Sequence, residues 1–480
     1  MGVTIGKTPP SVKPDLIGGH FRSFRGDATG FLTRLSKLGD VTGFRMGPQK
    51  ALFINHPELV RDLFVVNADK FVKGRALQRA KTLLGEGLLT SEGDLHLRQR
   101  RMIQPAFHRG RIAEYAKAMV DLGERMSETW SDGETRDIDQ EMMHLTLQIV
   151  GKTLFGADVG DDADEIGQAM TTLVKMFNYL LLPFSEWLEK LPLPQSRRLR
   201  RARRTLDDVI YSIIEDRRRS GEGSGDLLSM LLLAQDEESG IAMSNDQVRD
   251  EALTLFLAGH ETTANALTWT WYLLSQNPAT EARLHEELNS ALQEEAGADG
   301  ENLSGGDGVP KGEARSGTSG DDRDFASRPP HFADLPHLKY TEAVLAESMR
   351  LFPPAWAIGR LSKADHHFGG YAAPAGTLIL ASPFVMHRDA RFWHEPEKFR
   401  PERWCETSVK DAGQRYVYFP FGGGVRRCIG ESFAWTEGTL LLASIARKWK
   451  LRLSPGHKIG LQPMITLRPK FGMRMQISRR

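Results

Sequence analysis

FPFGGGVRRCIG, residues 419–430, runs directly into ESFAWTEGTLLLASIARKW, residues 431–449. The second segment repeats apolar residues at helical spacing, so Cys428 stands at the opening of a helix. There the positive end of the helix dipole and the free backbone N–H groups favour a thiolate. Gly422, Gly423 and Gly424 let the loop adopt left-handed backbone and approach something flat and bulky, and Gly430 lets the helix start pack close to it. Arg426 supplies a positive charge suited to a carboxylate. A phosphate loop would need a Lys-Ser/Thr ending, which is absent. On this segment alone, a metal ligand and a buried structural cysteine are both open readings.

Helical spacing recurs at 112–130, 139–155, 165–182, 203–218, 226–235, 246–276, 279–296, 340–351 and 431–447. Strand-like stretches are short: Val41 to Arg45, Ala51 to Ile54, Thr377 to Ala381 and Met464 to Ile477. The expected fold is mainly α with small peripheral β-sheets. Residues 297–330 are rich in Gly, Ser and Asp and poor in apolar side chains, which predicts a flexible surface insertion within one domain spanning 1–480.

The 480 residues carry 63 basic and 62 acidic side chains, a balance that argues against a general nucleic-acid binder and against charge-driven attachment to acidic lipid. The basic run SRRLRRARR, 196–204, reads as a solvated helix face, because Leu199, Ala202, Leu206 and Val209 give it an apolar stripe. With Cys405 and Cys428 the only cysteines, a disulfide scaffold is excluded. No secretion signal, lipidation motif or apolar run of about 20 residues is present, so the expectation is a cytoplasmic protein with no membrane anchor.

Two further segments carry chemistry. EAVLAESMRLFPP, 342–354, sets Glu347 and Arg350 one helical turn apart, with FRPERW and its Arg403 downstream. LFLAGHETTANALTWTW, 255–271, reads as a long buried helix, yet Gly259, Thr262 and Thr263 are poor helix formers at its centre. Such local conflict often marks a working site, although Thr hydroxyls bonding back to helix carbonyls would also account for it. A zinc motif at His260-Glu261 fails, because Ala264 stands where the second His belongs.

In their order along the chain these segments resemble the cytochrome P-450 family, whose haem-binding signature Phe-Gly-x-Gly-x-Arg-x-Cys-x-Gly is met in full by Phe421 to Gly430. The resemblance extends from about Leu35 to the end, apart from the insertion. It implies the cytochrome P-450 fold and haem b (iron protoporphyrin IX), with Cys428 as the iron ligand, Arg426 on a haem propionate and Phe421 beside the thiolate. It implies that Glu347, Arg350 and Arg403 form the ion-pair network supporting the haem loop, and that Ala258, Gly259, Glu261 and Thr262 form an oxygen-activation groove. Thr262 would hold dioxygen and Glu261 would bring protons inward. His96 and Arg100 resemble the family's propionate-binding helix, with His96 where Trp often stands, and Arg360 is a further propionate partner. Cys405 has no counterpart in the family pattern.

The activity implied is a monooxygenase that inserts one atom of O2 into an apolar small molecule. Phe256, Trp356, Ile358 and Met464 are the candidate pocket residues, and core packing is the competing role for each. No dinucleotide fingerprint or iron–sulfur cysteine set accompanies the haem motifs, so an external electron donor, a ferredoxin or flavodoxin with its reductase, is expected. It would dock near Arg98, Arg100, Arg101 and Arg109. A haem-thiolate isomerase or dehydratase would typically lack the acid-Thr pair, and a gas-sensing haem protein would usually carry an output module, which is not visible here.

Overall fold

The structure is a computed structural model describing residues 8–15, 18–156, 163–180, 193–220, 226–233, 240, 242–293 and 328–480. Helices make most of it, and six position the site: α1 (Gly93–Ile103), α2 (Arg109–Glu128), α3 (Ile138–Phe155), α4 (Asn245–Gln276), α5 (Lys339–Leu351) and α6 (Glu431–Ala446). The central α4 has 32 residues, a length of about 48 Å. A capping box starts it: Ser244 Oγ accepts the Gln247 N–H at 3.2 Å, and the Gln247 side chain accepts the Ser244 N–H at 3.1 Å. Its flanks lie along α3, α5 and α6; α3, α4 and α6 bury most of their apolar side chains in one large core, whereas α5 divides its own between that core and two smaller clusters. The helix Pro194–Ser220 buries Leu199, Ala202 and Leu206 and exposes Arg200, Arg201, Arg203 and Arg204, as its stripe predicts.

The strands are peripheral. β1 (Val41–Met46), β2 (Gln49–Ile54) and β3 (Phe71–Lys73) join a five-stranded sheet in the order β1-β2-β8-β5-β3, completed by β5 (Ile358–Ser362) and β8 (Leu378–Ala381). Only β2 and β8 pair in parallel in that sheet. β6 (His366–Phe368) and β7 (Tyr371–Ala373) form a hairpin, as do β10 (Leu461–Pro463) and β11 (Leu467–Pro469). β4 (Thr135–Asp137), β12 (Arg474–Arg479) and β9 (Trp449–Leu453) make a three-stranded sheet in the order β4-β12-β9.

One strand expectation is corrected. Residues 464–477 do not form a single strand, because Gly472 at φ +70° breaks the chain between β11 and β12. A Cβ there would lie 2.4 Å from Asp137 Oδ2, so the turn depends on glycine. Of the expected insertion at 297–330, residues 297–327 lie outside the described residues, as do 181–182, 234–235 and 294–296 of the expected helices.

Candidate active site

Glu347 and Arg350, one turn apart on α5, are both fully buried. Glu347 Oε1 accepts from Arg350 Nη2, Arg403 Nε and the Arg400 N–H, each at 2.9 Å. Its Oε2 accepts from Arg350 Nε at 2.9 Å and Trp404 Nε1 at 3.0 Å. A dry carboxylate saturated in this way is stable only as a set, since its partners are stranded without it. Arg350 Nη1 donates to the carbonyls of His387 and Pro396, both at 2.7 Å. The His387 ring in turn accepts the Phe419 N–H at 2.9 Å. The network therefore runs from α5 to the first residue of the Cys428 loop.

That loop is pinned from two sides. The Cys428 N–H donates to the Phe421 carbonyl at 3.0 Å, and the Phe421 ring lies 5.8 Å from that of Trp435. The Phe64 carbonyl comes so close that a Cβ on Gly424, at φ +64°, would sit 1.8 Å from it. Cys428, surrounded by protein, still presents open surface. Burial pushes its thiol up to about 11, although the Gly430 N–H bonds to it and works the other way.

Basic side chains from separate elements gather beside the loop. Arg100 on α1 donates to the Arg427 carbonyl at 2.8 Å and lies within electrostatic reach of Cys428. Arg360 on β5, Lys73 on β3, Arg426 and His96 influence one another. Burial, then these cations, pushes His96 down to about 3, so its ring is neutral. Burial and Arg426 push Lys73 down to about 7 and Arg360 to about 10. Glu92 faces the cluster, pairing with Arg426 Nη2 and accepting the Lys73 N–H at 2.5 Å. Glu251, which Lys73 also feels, is pushed up to about 8 by burial. Arg426 Nη1 is buried with no hydrogen-bond partner among the described residues.

α4 is covered along its central stretch except on one strip. Ala258 is exposed and Gly259 and Thr262 half-exposed, while their neighbours are buried. Thr262 Oγ1 donates back to the Ala258 carbonyl at 2.7 Å, the local bond that its position in a helix favours. Glu261, about 100° around the helix, is buried and accepts from Thr466 Oγ1 at 2.6 Å. The structure thus brings Glu261 and Thr262 together in sequence but onto neighbouring faces.

The four expected pocket residues separate. Phe256 is buried and stacks on Phe155 with ring centroids 4.3 Å apart. Trp356 is buried and donates to the Met464 carbonyl at 2.9 Å, and Met464 is itself buried. Ile358 alone keeps open surface, on β5 two residues before Arg360. Sequence reading missed Lys73, Glu92, Trp404 and His387; none stands in a spacing that would single it out.

A family model described as cytochrome P-450 matches residues 9–304 and 318–473. The chain belongs to the cytochrome P-450 family. This cytochrome P-450 is 38% identical over 440 residues to cyclooctatin synthase of Streptomyces melanosporofaciens, covering 91% of this chain and 88% of that one. It is 36% identical over 455 residues to cyclooctat-9-en-7-ol 5-monooxygenase of the same organism, covering 94% and 91%. Pentalenene oxygenase of Streptomyces avermitilis is 32% identical over 476 residues, covering 98% and 97%.

Family membership makes this cytochrome P-450 an oxidoreductase with a thiolate-ligated haem cofactor and implies electrons from an external redox partner. The residues present fit that group. A lone thiol, with an N–H already on it, is a donor whose charge a metal cation stabilises. An orphaned guanidinium nitrogen in a cluster with excess positive charge suits the two propionates. Among the described residues, no helix is long and apolar enough to cross a membrane.

Proposed function

We propose that this chain hydroxylates or epoxidises a compact, largely hydrocarbon substrate of the kind that the names pentalenene and cyclooctat-9-en-7-ol denote. The observation that carries the reading is a thiol, Cys428, within electrostatic reach of a basic cluster whose charge its carboxylates do not balance. Haem, when bound, supplies the oxidation chemistry, using two electrons to place one oxygen atom of O2 in substrate and the other in water.

The chain's own residues hold, orient and supply protons. Cys428 is the iron ligand, and Phe421 packs beside it. Arg426, Arg360 and Arg100 bind the propionates, and neutral His96 donates or accepts a hydrogen bond beside them. Lys73 regains its full charge when carboxylates arrive. Glu347, Arg350 and Arg403 fix the loop. Thr262, its hydroxyl released from the Ala258 carbonyl, donates to oxygen in the groove, and Glu261 relays protons toward it. Ile358 and Ala258 border the substrate, while Phe256, Trp356 and Met464 shape that wall from behind.

The chain works as one domain, with 297–330 as an insertion; the family model breaks between 304 and 318. It works in the cytoplasm and takes electrons from a ferredoxin or flavodoxin. The test is Cys428→His. Haem capture survives, but the red-shifted Soret band of the reduced carbon monoxide complex and oxygenation are both lost. Retention of that band in the variant overturns the ligand assignment, and Cys405→Ser leaves it in place.

A further inference from the structure

Two stripes of α4 face different surroundings. Ala258 and Thr262 lie on the open strip, whereas Glu261, Asn265 and Trp269, at four-residue steps, meet the β10–β11 hairpin. Thr466 Oγ1 donates to Glu261 at 2.6 Å, Asn265 Nδ2 donates to Thr466 Oγ1 at 3.2 Å, and Trp269 Nε1 donates to the Leu467 carbonyl at 2.9 Å. This docking delivers Arg468 of β11 into the space between α4 and α3. Its Nε lies 3.9 Å from Glu261 Oε1, and its Nη2 lies 3.9 Å from Asp139 Oδ2 in the first turn of α3.

One guanidinium thus serves two carboxyls and closes tightly on neither. Glu261 Oε2 and Asp139 Oδ1 are buried and have no hydrogen-bond partner among the described residues. Side-chain exposure falls from 12% at Asp139 and 11% at Arg468 to 2% at Glu261, so the row runs from a damp edge to a dry interior. Among the described residues, the other titratable groups that influence it, Asp137 and His260, add no cation. Asp137 accepts the N–H groups of Asp139 and Met473. His260 bonds through its ring to the Phe256 carbonyl, and burial pushes it down to about 4. Two buried carboxylates around a single positive charge cannot both ionise cheaply. In agreement, burial raises both acids, Asp139 to about 6, against the lowering effect of Arg468 on each, and the charges of Asp137 and then Glu261 raise Asp139 further.

We propose that Asp139 and Glu261 hold one proton between them around Arg468 and pass it inward, Asp139 being the outer end of the path and Glu261 the inner end beside Thr262. This rests on the reading of Glu261 as a proton relay. In the step, the Asp139 carboxyl gives its proton to a water beside the Arg468 guanidinium as that water gives one of its own to the Glu261 carboxylate, and solvent at the α3 edge then reprotonates Asp139. Arg468 keeps its own protons and acts as a positioning residue, its charge stabilising whichever carboxyl is ionised.

The experiment uses the haem-loaded enzyme at pH 7 and two readouts. Infrared difference spectra report the C=O stretch of a protonated carboxyl. Asp139→Asn and Glu261→Gln each remove the same band, because the surviving carboxyl, alone beside Arg468, ionises. Arg468→Gln strengthens it, since both carboxyls then take protons, and Arg468→Lys, which keeps the charge, retains the wild-type band. In turnover, Asp139→Asn lowers product formed per electron consumed by about tenfold, less than the roughly hundredfold of a direct proton donor. The lost electrons appear as hydrogen peroxide, and the spectral shift on substrate binding is unchanged. The proposal needs both changes in Asp139→Asn, and either one without the other overturns it. Normal coupling in Glu261→Gln would remove the relay reading itself; uncoupling in Glu261→Gln with Asp139→Asn wholly like wild type removes only the present proposal.

Discussion

Arg426 and Glu92, 334 residues apart in the chain, form an ion pair that engages Arg426 Nη2 and leaves its Nη1 buried with no hydrogen-bond partner among the described residues. A buried donor without an acceptor costs about 1–3 kcal/mol, and a carboxylate arriving there recovers it. Arg426→Gln therefore weakens haem retention by roughly 10- to 100-fold, as a charge-assisted bond of about 1.5–3 kcal/mol implies. Glu92→Gln acts in the opposite sense: Arg426 keeps its charge and gains a free nitrogen, so retention holds while the haem-free chain loses stability. Rates of haem loss to an excess of a haem scavenger check both. Equal rates in Arg426→Gln and wild type would place the propionates elsewhere.

Lys73 sets a pH dependence of the haem-free chain. Its folded value, pushed down from 10.5 to about 7, means that between these pH values the unfolded chain holds more protons than the folded one. Stability contributed by this site then rises with pH from about 7 toward 10.5. Other buried groups titrate in the same range, so the diagnostic is the difference between wild type and Lys73→Met, measured by urea unfolding between pH 7 and 9. The variant loses the rising component. Haem, by restoring carboxylates to the cluster, flattens the difference, and a difference independent of both pH and haem would show that Lys73 lies outside the propionate site.

Much of the site was legible because its chemistry is local. The loop from Phe421 to Gly430, the one-turn spacing of Glu347 and Arg350, and the break at Gly259 and Thr262 are patterns within single elements. What the sequence hid is contact between distant segments. Glu92, the extended residue directly before α1, meets Arg426 only through the fold. His387 links α5 to the loop by one ring nitrogen and one carbonyl, with no spacing to announce it. Periodicity places Phe256 on a buried face, but it cannot tell a face against Phe155 from one that borders substrate. At 464–477 the alternating pattern continued through Gly472, where backbone geometry ended the strand.

Glu347 is the most costly residue to remove from the supporting network. Glu347→Ala strands Arg350 and Arg403 in a dry core, at about 3–5 kcal/mol. Arg403→Met costs less, because Glu347 then keeps both bonds from Arg350, the Trp404 Nε1 and the Arg400 N–H. Urea unfolding of the two haem-free variants gives the ranking, and a smaller loss for Glu347→Ala than for Arg403→Met contradicts it.

Electrons must reach a thiol that lies beneath α1, since Arg100 of that helix bonds to the carbonyl of Arg427, the residue before Cys428. Arg101, Arg109 and Arg427 are exposed, Arg98 is half-exposed, and Val425, on the loop with Arg427, is an exposed apolar side chain. A basic rim around a short route to iron suits an acidic donor, whose approach such charges accelerate and salt slows. Arg98 and Arg101 are the residues to change, because Arg100 is bonded to the loop and is proposed to hold a propionate. Charge reversal at both, Arg98→Glu with Arg101→Glu, slows haem reduction by an acidic ferredoxin by about tenfold at low salt, within the range steering provides. Wild type loses much of that advantage at high ionic strength, so the two rates converge there. The substrate-induced spectral shift is the same in both proteins, which separates docking from damage to the site. Equal reduction rates at low salt would place the donor on another face and leave these arginines as an ordinary solvated edge of α1.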